Sequence, residues 1–440
     1  MNHARVAEKI DGLIRFFLYV LIFWLPYSSA VIESCVIISL ILWFVKRGIL
    51  YSSSRKPIGS LKDKIYGALA AFKPEPTFLN KPIAFFLLAC ILSVTASAFF
   101  AQSLHNFLTK TVEWFIVYFL VVETFKDKKH IYIAMGIFLF TAFSTALDSI
   151  IQFYLTNKDI FNGRVIEPGS RATAGFKTSN CLGGYMALVI PGLLAWMLLG
   201  KQKLYQRLIG FVALFFMLWS LAISFSRGAY VGTFLGGMFL LFFISFPQRR
   251  RFIYGALGLL LVTVVLLIAF VMILSNSFGK DLISRYETIP WRLDLWLSCI
   301  DMVKDKPLFG HGINTFMRVF DAYRGNYFMA PTYAHNCYIQ MTAEIGLIGL
   351  MGFIWIIVGI FHRSLKAALN GIRENKNLAA MAVGLLSGIF AFLAHSFFDT
   401  NFYSLQLSVY LWYMVGVLVA ICRIMGEGPL QEKEFNGGEK

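Results

Sequence analysis

Charge is scarce in this chain, and negative charge scarcest. Only 15% of its 440 residues are charged, and 24 Asp and Glu stand against 40 Lys and Arg. A soluble globular domain carries more charge than that. The six cysteines include no C-x-x-C pair, which argues against a zinc ribbon or a thiol redox centre. No H-E-x-x-H and no P-loop occurs, so neither a zinc-hydrolase helix nor a nucleotide cradle is expected, and no metal or cofactor is predicted. No nucleic-acid-binding motif accompanies the net charge of +16. A disulfide between Cys299 and Cys337 is conceivable, but nothing in their spacing demands one.

What the chain has instead is apolar sequence. Hydrophobic residues make up 58% of it, and its mean hydropathy is +0.67. Apolar runs of membrane-spanning length recur from end to end. The expected fold is all-α and polytopic, a single integral membrane domain over 1–440 with about twelve transmembrane helices. The predicted spans are 13–27, 31–45, 83–100, 107–122, 131–155, 181–199, 208–223, 229–246, 252–274, 337–361, 378–397 and 404–422. The first span resembles a signal peptide, with Arg5, Lys9 and Arg15 before it. A second apolar run follows at once, so an uncleaved span is the better reading.

The basic residues then fall into order. Linkers after every second span are rich in Lys and Arg, notably 46–82, 126–129, 201–207, 248–251 and 363–376. The positive-inside rule makes these cytoplasmic, along with both termini and the tail 423–440, and the basic linker 46–82 would lie on anionic membrane lipid. The opposite face receives the loop 156–180 and a large, partly helical loop 275–336 between spans nine and ten. Cations on that outer face run against the usual bias and need a reason.

Arg227 is the sharpest of them. It interrupts two apolar runs beside Ser224, Ser226 and Gly228, where a guanidinium costs a few kcal/mol unless paired or wetted. Arg285 and Arg292 lie in the large outer loop, where Pro290 opens a helix and Pro307 to Gly312 closes it. For Arg292 an ordinary ion pair with Glu287 or Asp294 is the competing reading. Arg171 and Asn180 are weaker candidates in the loop 156–180. His395 and Asp399, four apart at the end of span eleven, would share a helix face, either as a site or as a polar helix terminus. Glu344, buried by position in span ten, suits a structural hydrogen bond to a neighbouring helix.

The organising stretch is Tyr333 to Gly349. His335 falls where a polar loop end turns into an apolar helix, with Asn336 beside it. On a continuous helix His335, Ile339, Thr342, Gly346 and Gly349 would share one face, small enough to admit a neighbouring helix closely. Imidazole is the side chain best fitted to take a proton near neutrality. His311, His335 and His395 show no metal-ligand spacing.

His335-Asn336, nine further residues and Gly346-x-x-Gly349 resemble the signature of the O-antigen ligase superfamily, which also holds O-antigen polymerases and bacterial oligosaccharyltransferases. Arg171, Ser224 to Gly228, Arg292 with Trp296, Pro307 to Gly312, and His395 to Asp399 resemble it in the same order. The resemblance implies a GT-C-like membrane fold. It implies transfer of a glycan from undecaprenyl diphosphate to an acceptor hydroxyl on the periplasmic face of the bacterial inner membrane, with inversion and without metal or nucleotide. On that basis His335 is expected as general base, Arg227 and Arg292 as diphosphate ligands, and Arg285, Arg171, Asp399 and Asn336 as secondary substrate contacts. The acceptor favoured is lipid A-core, making an O-antigen ligase of lipopolysaccharide biosynthesis, with a polymerase of the same superfamily as the alternative. The compact outer loop and the absence of a soluble domain after span twelve speak against a protein-glycosylating branch. A lipid-linked sugar transporter or flippase is the reading from another class. It should show paired half-repeats and broken helices with intramembrane charges; no clear internal repeat occurs, and the cations cluster on one face instead of along a path.

Overall fold

The computed structural model describes residues 3–53, 66–67, 70–245, 288–324, 333–372 and 374–426. Predicted span nine, Arg285, the Arg249 to Arg251 cluster and most of the tail lie outside these residues. Among the described residues the regular elements are all helical, and eight helices are long and apolar enough to cross a membrane.

In chain order the helices are α1 His3–Trp24, α2 Ser29–Ser53, α3 Asn80–Thr95 and α4 Phe100–Asn106. A π-helical turn, Phe107–Thr111, leads into α5 Val112–Thr124. Next come α6 Lys128–Ile151, α7 Ser179–Leu199, α8 Leu204–Ile223 and α9 Arg227–Ser245. After the gap come α10 Thr288–Asp305, the short α11 Phe316–Val319, α12 Cys337–Gly371, α13 Lys376–His395 and α14 Leu405–Ile424.

Helices α13 and α14 form the core. Every residue of α14 from Gln406 to Cys422 is buried. Helix α13 packs between α7 and α9, and small residues let the backbones close. A Cβ on Gly388 would meet the Leu188 carbonyl oxygen at 2.1 Å, and one on Gly232 would meet that of Ala391 at 2.5 Å. Large apolar side chains face outward, with Leu204, Ile209, Phe211 and Phe242 all more than 60% exposed, as suits a lipid-facing surface.

The two ends of the bundle differ. At one end lie the described basic connections, fastened by ion pairs. Glu123, fully buried, accepts from the Trp43 indole at 2.5 Å, Arg47 at 2.8 Å and the Glu75 N–H at 3.0 Å, while Arg423 pairs with Glu75 at 3.0 Å. The other end collects the α1–α2 turn, the starts of α7, α9, α12 and α14 and the ends of α8 and α13. Gln406 ties this end together by donating to the carbonyls of Leu25 and Pro26 at 3.1 and 2.9 Å.

Two expectations are corrected here. The tenth span is not one continuous helix, because Gly346 has φ 69° and ψ −178° and breaks α12. The segment Pro307 to Gly312 docks into the break. His311 and Gly312 N–H donate to the carbonyls of Ala343 and Glu344, and the Leu347 N–H donates to the Pro307 carbonyl, at 2.8–3.0 Å. Backbone groups orphaned by the break are thereby satisfied. Nor does His335 share a helical face with Gly346, since it precedes α12 with φ 50°. Gly346 is needed for its backbone conformation and for the Leu308 carbonyl oxygen, which a Cβ would meet at 2.1 Å. The six cysteines are all free, so Cys299 and Cys337 do not pair.

Candidate functional site

The site is built on the loop that joins α13 to α14, at the end away from the ion-pair network. The α12 cap sets its centre. Asn336 is the N-cap of α12, and its Oδ1 accepts from the N–H groups of Tyr338 and Ile339 at 3.0 and 3.1 Å. That is the local preference of Asn at a helix start. Asn336 is wholly buried, and the cap engages only its Oδ1. Its neighbour His335 is turned into the left-handed region and held half-buried at the helix mouth.

Nδ1 of His335 faces Oδ1 of Asp399 at 3.4 Å. Asp399 also accepts the Thr400 N–H at 2.8 Å, and its own carbonyl accepts from the Cys337 thiol at 3.2 Å. Burial alone would push the Asp399 carboxyl up. The His335 hydrogen bond, the two imidazoles beside it and the Thr400 N–H outweigh that and hold it down to about 2. A carboxylate that stays ionised beside Nδ1 fixes the proton there and leaves Nε2 as the basic nitrogen.

His395 stands behind this pair, almost fully buried. Its Nδ1 lies 3.1 Å from the Asn401 amide nitrogen, which can only donate, so Nδ1 accepts. Nε2 then carries the proton and faces Ser226 Oγ at 3.4 Å. Helix α9 approaches closely here, since a Cβ on Gly228 would strike Phe398 and His395 at 2.8 and 2.9 Å. His395 thus links the Asp399 loop to the turn that carries Arg227.

The arginines arrive from three elements. Arg292, on the first turns of α10, donates to the Phe398 carbonyl at 3.0 Å, next to Asp399. Burial lowers its pKa, the Asp399 charge raises it, and the charge of Arg227 lowers it again, so Arg292 lies within reach of both. Arg227 is the exposed first residue of α9, following Phe225 at φ 47°. A cation at the positive end of a helix dipole is unfavourable without an anion. Arg171 spends its Nε on the Ser224 carbonyl at 2.8 Å and another nitrogen on the Asn180 side chain, bracing the turn before Arg227.

Arg227, Arg292, Arg171, His335, His395 and Asp399, scattered over more than 220 residues of sequence, therefore share one end of the bundle. His311 is elsewhere. Its Nε2 lies 3.0 Å from the Met302 carbonyl, where it fastens the segment docked into the α12 break. Glu344 takes three hydrogen bonds, from the Asn314 N–H, Gln340 and Tyr403, as a structural carboxylate would. Asn401 and the pair Tyr333–Tyr403 were not foreseen. The polar run Asp399-Thr400-Asn401 between two apolar spans was the signal for the first.

An imidazole oriented by a carboxylate, with two guanidiniums on neighbouring elements, can deprotonate a hydroxyl and receive an anionic leaving group.

Comparison with known proteins shows a likeness to polysaccharide ligases. Residues 212–354 match the family model for O-antigen ligase. An uncharacterized Haemophilus influenzae protein is 25% identical over 222 residues, 46% of this chain and 54% of that protein. A Rickettsia conorii protein named "Putative polysaccharide ligase RC0486" is 27% identical over 177 residues, 38% of this chain and 40% of its own. The exopolysaccharide production protein ExoQ of Rhizobium meliloti is 30% identical over 127 residues, 27% of this chain and 28% of its own. The chain thus spans about half, or less, of the curated relatives it matches. The family match is to O-antigen ligase, and the apolar helices are those of a multi-pass membrane protein.

Proposed function

We propose, from the O-antigen ligase match and the His335 site, that this protein is an inverting glycosyltransferase of GT-C type. It takes a polysaccharide from undecaprenyl diphosphate and joins it to a hydroxyl of the lipid A-core oligosaccharide, as an O-antigen ligase. The reaction is assigned to the periplasmic face of the bacterial inner membrane, with both termini cytoplasmic. The observation that carries this reading is the His335–Asp399 pair flanked by Arg292 and Arg227.

Each residue then has a task. Nε2 of His335 takes the proton of the acceptor hydroxyl while Asp399 holds the ring and stabilises the imidazolium that forms. The acceptor oxygen bonds to the anomeric carbon as the bond from that carbon to the diphosphate oxygen breaks. Inversion follows, because attack comes from the side opposite the leaving group. Charge gathers on the diphosphate, and Arg227 and Arg292 receive it with bidentate geometry. Arg171 serves by bracing the Arg227 turn, and Arg285 remains a candidate phosphate contact.

A second reading within the superfamily is favoured by the relative named for exopolysaccharide production. There the acceptor is another lipid-linked repeat and the product a longer polymer. Deleting the gene and resolving lipopolysaccharide on gels separates the two. Uncapped core with intact lipid-linked polymer means ligase, and core bearing single repeats means polymerase. Full transfer by purified His335→Ala protein would remove the base assignment. Movement of labelled lipid-linked glycan across vesicles, with no transfer, would favour a transporter instead.

A further inference from the structure

His335 has a backbone conformation that few residues other than glycine adopt, with φ 50°. Such a residue persists only where its surroundings over-determine it. On one side of it Asn336 is fixed as the α12 cap. On the other, both polar groups of the Ala334 backbone are bound. The Ala334 carbonyl accepts from the Trp296 indole at 2.9 Å, and its N–H donates to Oε1 of Gln340 at 2.9 Å. Gln340, in the first turn of α12, is wholly buried, and its Nε2 donates to Oε1 of Glu344 at 3.1 Å. Oε2 of Glu344 accepts from the Tyr403 hydroxyl at 3.0 Å and from the Asn314 N–H at 2.8 Å. Tyr403 ends the turn that follows Asp399. Its N–H donates to the Thr400 carbonyl at 3.0 Å, and the Thr400 N–H donates to Oδ1 of Asp399 at 2.8 Å. One line of hydrogen bonds therefore runs from the backbone beside the base, through Gln340 and Glu344, to the carboxylate that faces it.

Resting on the transferase reading above, we propose that Gln340 and Glu344 are positioning residues for the reaction. They hold His335 in its left-handed conformation and set its place against Asp399. An amide suits the first task, because it accepts from Ala334 on one prong and donates to Glu344 on the other. A carboxylate suits the second, because its two oxygens gather donors from α12, from the Asp399 loop and from the segment at Asn314. Releasing the Ala334 N–H lets His335 relax to the ordinary backbone region and carries the imidazole away from Asp399. A misplacement of about 1 Å at a reacting group costs about 10²-fold in rate.

The pair can be exchanged without losing a bond. With Gln340→Glu and Glu344→Gln together, the new carboxylate accepts from Ala334 and from the new amide, whose oxygen takes Tyr403 and Asn314. Either change alone sets acceptor against acceptor or donor against donor. The test is steady-state transfer by the full-length protein in lipid nanodiscs, with lipid-linked donor and acceptor glycolipid extracted from cells lacking the gene. Each single change should lower kcat about 10²-fold and leave both KM values within about twofold. The exchanged pair should return kcat to within about threefold of wild type. A wild-type kcat in both single variants, or an exchanged pair as slow as they are, overturns the proposal and leaves the transferase reading intact. If a single variant does not fold, the exchanged pair decides: folded and active it supports the proposal, and folded but slow, or unfolded, it overturns it. If wild type transfers nothing, the transferase reading falls and hydrogen exchange decides the clamp. A peptide covering Ala334 should then exchange about tenfold faster in each single variant, and at the wild-type rate in the exchanged pair, with α14 peptides unmoved. Equal exchange in all four proteins overturns it.

Discussion

Oδ1 of Asp399 stands 3.4 Å from Nδ1 of His335 and 2.8 Å from the Thr400 N–H. The first distance is long for a charge-assisted bond, and such contacts tighten when substrate binds. The carboxylate chooses the tautomer, which an amide cannot do with the same strength. Asp399→Asn should therefore lower kcat about 10²-fold or more with little change in acceptor KM, and His335→Ala should lose at least as much. Initial-rate transfer kinetics check both. Equal loss in the double variant would mark the two as one unit.

The same carboxylate makes a prediction about pH. Its acidity in the folded protein, about 2, is below the value of about 3.9 expected unfolded. A depressed carboxyl contributes stability that is complete above the unfolded value and lost as pH falls through the folded one. The difference in thermal stability between wild type and Asp399→Asn should thus be level above about pH 5 and shrink steadily below about pH 4. Melting in detergent across that range reads it. Activity between pH 5 and 9 should show no limb belonging to Asp399.

Arg227 and Arg292 should not tolerate lysine. A point charge loses the two-pronged contact with phosphate oxygens, and Arg292 would also lose its grip on the Phe398 carbonyl. Each Arg→Lys change should lower kcat/KM for the donor by about ten- to a hundredfold, with acceptor KM unmoved. Separate titration of the two substrates measures the split.

Much of this was legible from sequence because the bilayer restricts the chain severely. Apolar length gives most of the spans: the ends of α3, α5 to α9, α13 and α14 fall within about five residues of the expected limits, whereas α1 starts at His3 rather than 13, α2 runs on to Ser53 rather than 45, and the short α4 was not expected. Lys and Arg order gives the alternation of ends. Cations away from the basic end of the bundle, such as Arg227 and Arg292, stood out because an apolar environment penalises them. The break at Gly346 was not legible, since Gly346-x-x-Gly349 reads equally as a close-packing face. Only the docked Pro307 to Gly312 segment, some 40 residues earlier, explains it. Glu123 was also missed. A carboxylate inside Val112–Thr124 carries no sign of the Arg47 and Trp43 that meet it from α2.

Gly346 yields a further prediction. Alanine there would need φ near 69° and would drive its Cβ into the Leu308 carbonyl. The strain costs about 1–3 kcal/mol, and relief requires the Pro307 to Gly312 segment to withdraw. That segment closes α10, which carries Arg292, so the penalty should reach the site as well as the melting temperature. Gly346→Ala is expected to lower both stability and donor kcat/KM, whereas Gly349→Ala should touch stability alone.

The ion-pair end of the bundle supplies the control. Glu123 is fully buried and depends on Arg47, Trp43 and the Glu75 N–H. Removing Arg47 strands a buried carboxylate, at a cost of about 3–5 kcal/mol. Changing Glu123 to Gln in the same chain removes the charge that was stranded, so Arg47→Ala with Glu123→Gln should be more stable than Arg47→Ala by itself. Denaturation of the purified variants measures that rescue. Neither change lies near His335, and the folded fraction of each should transfer glycan with wild-type KM for both substrates. A shift in either KM would mean that the two ends of the bundle are coupled, and that the helices between them do not act as a rigid frame.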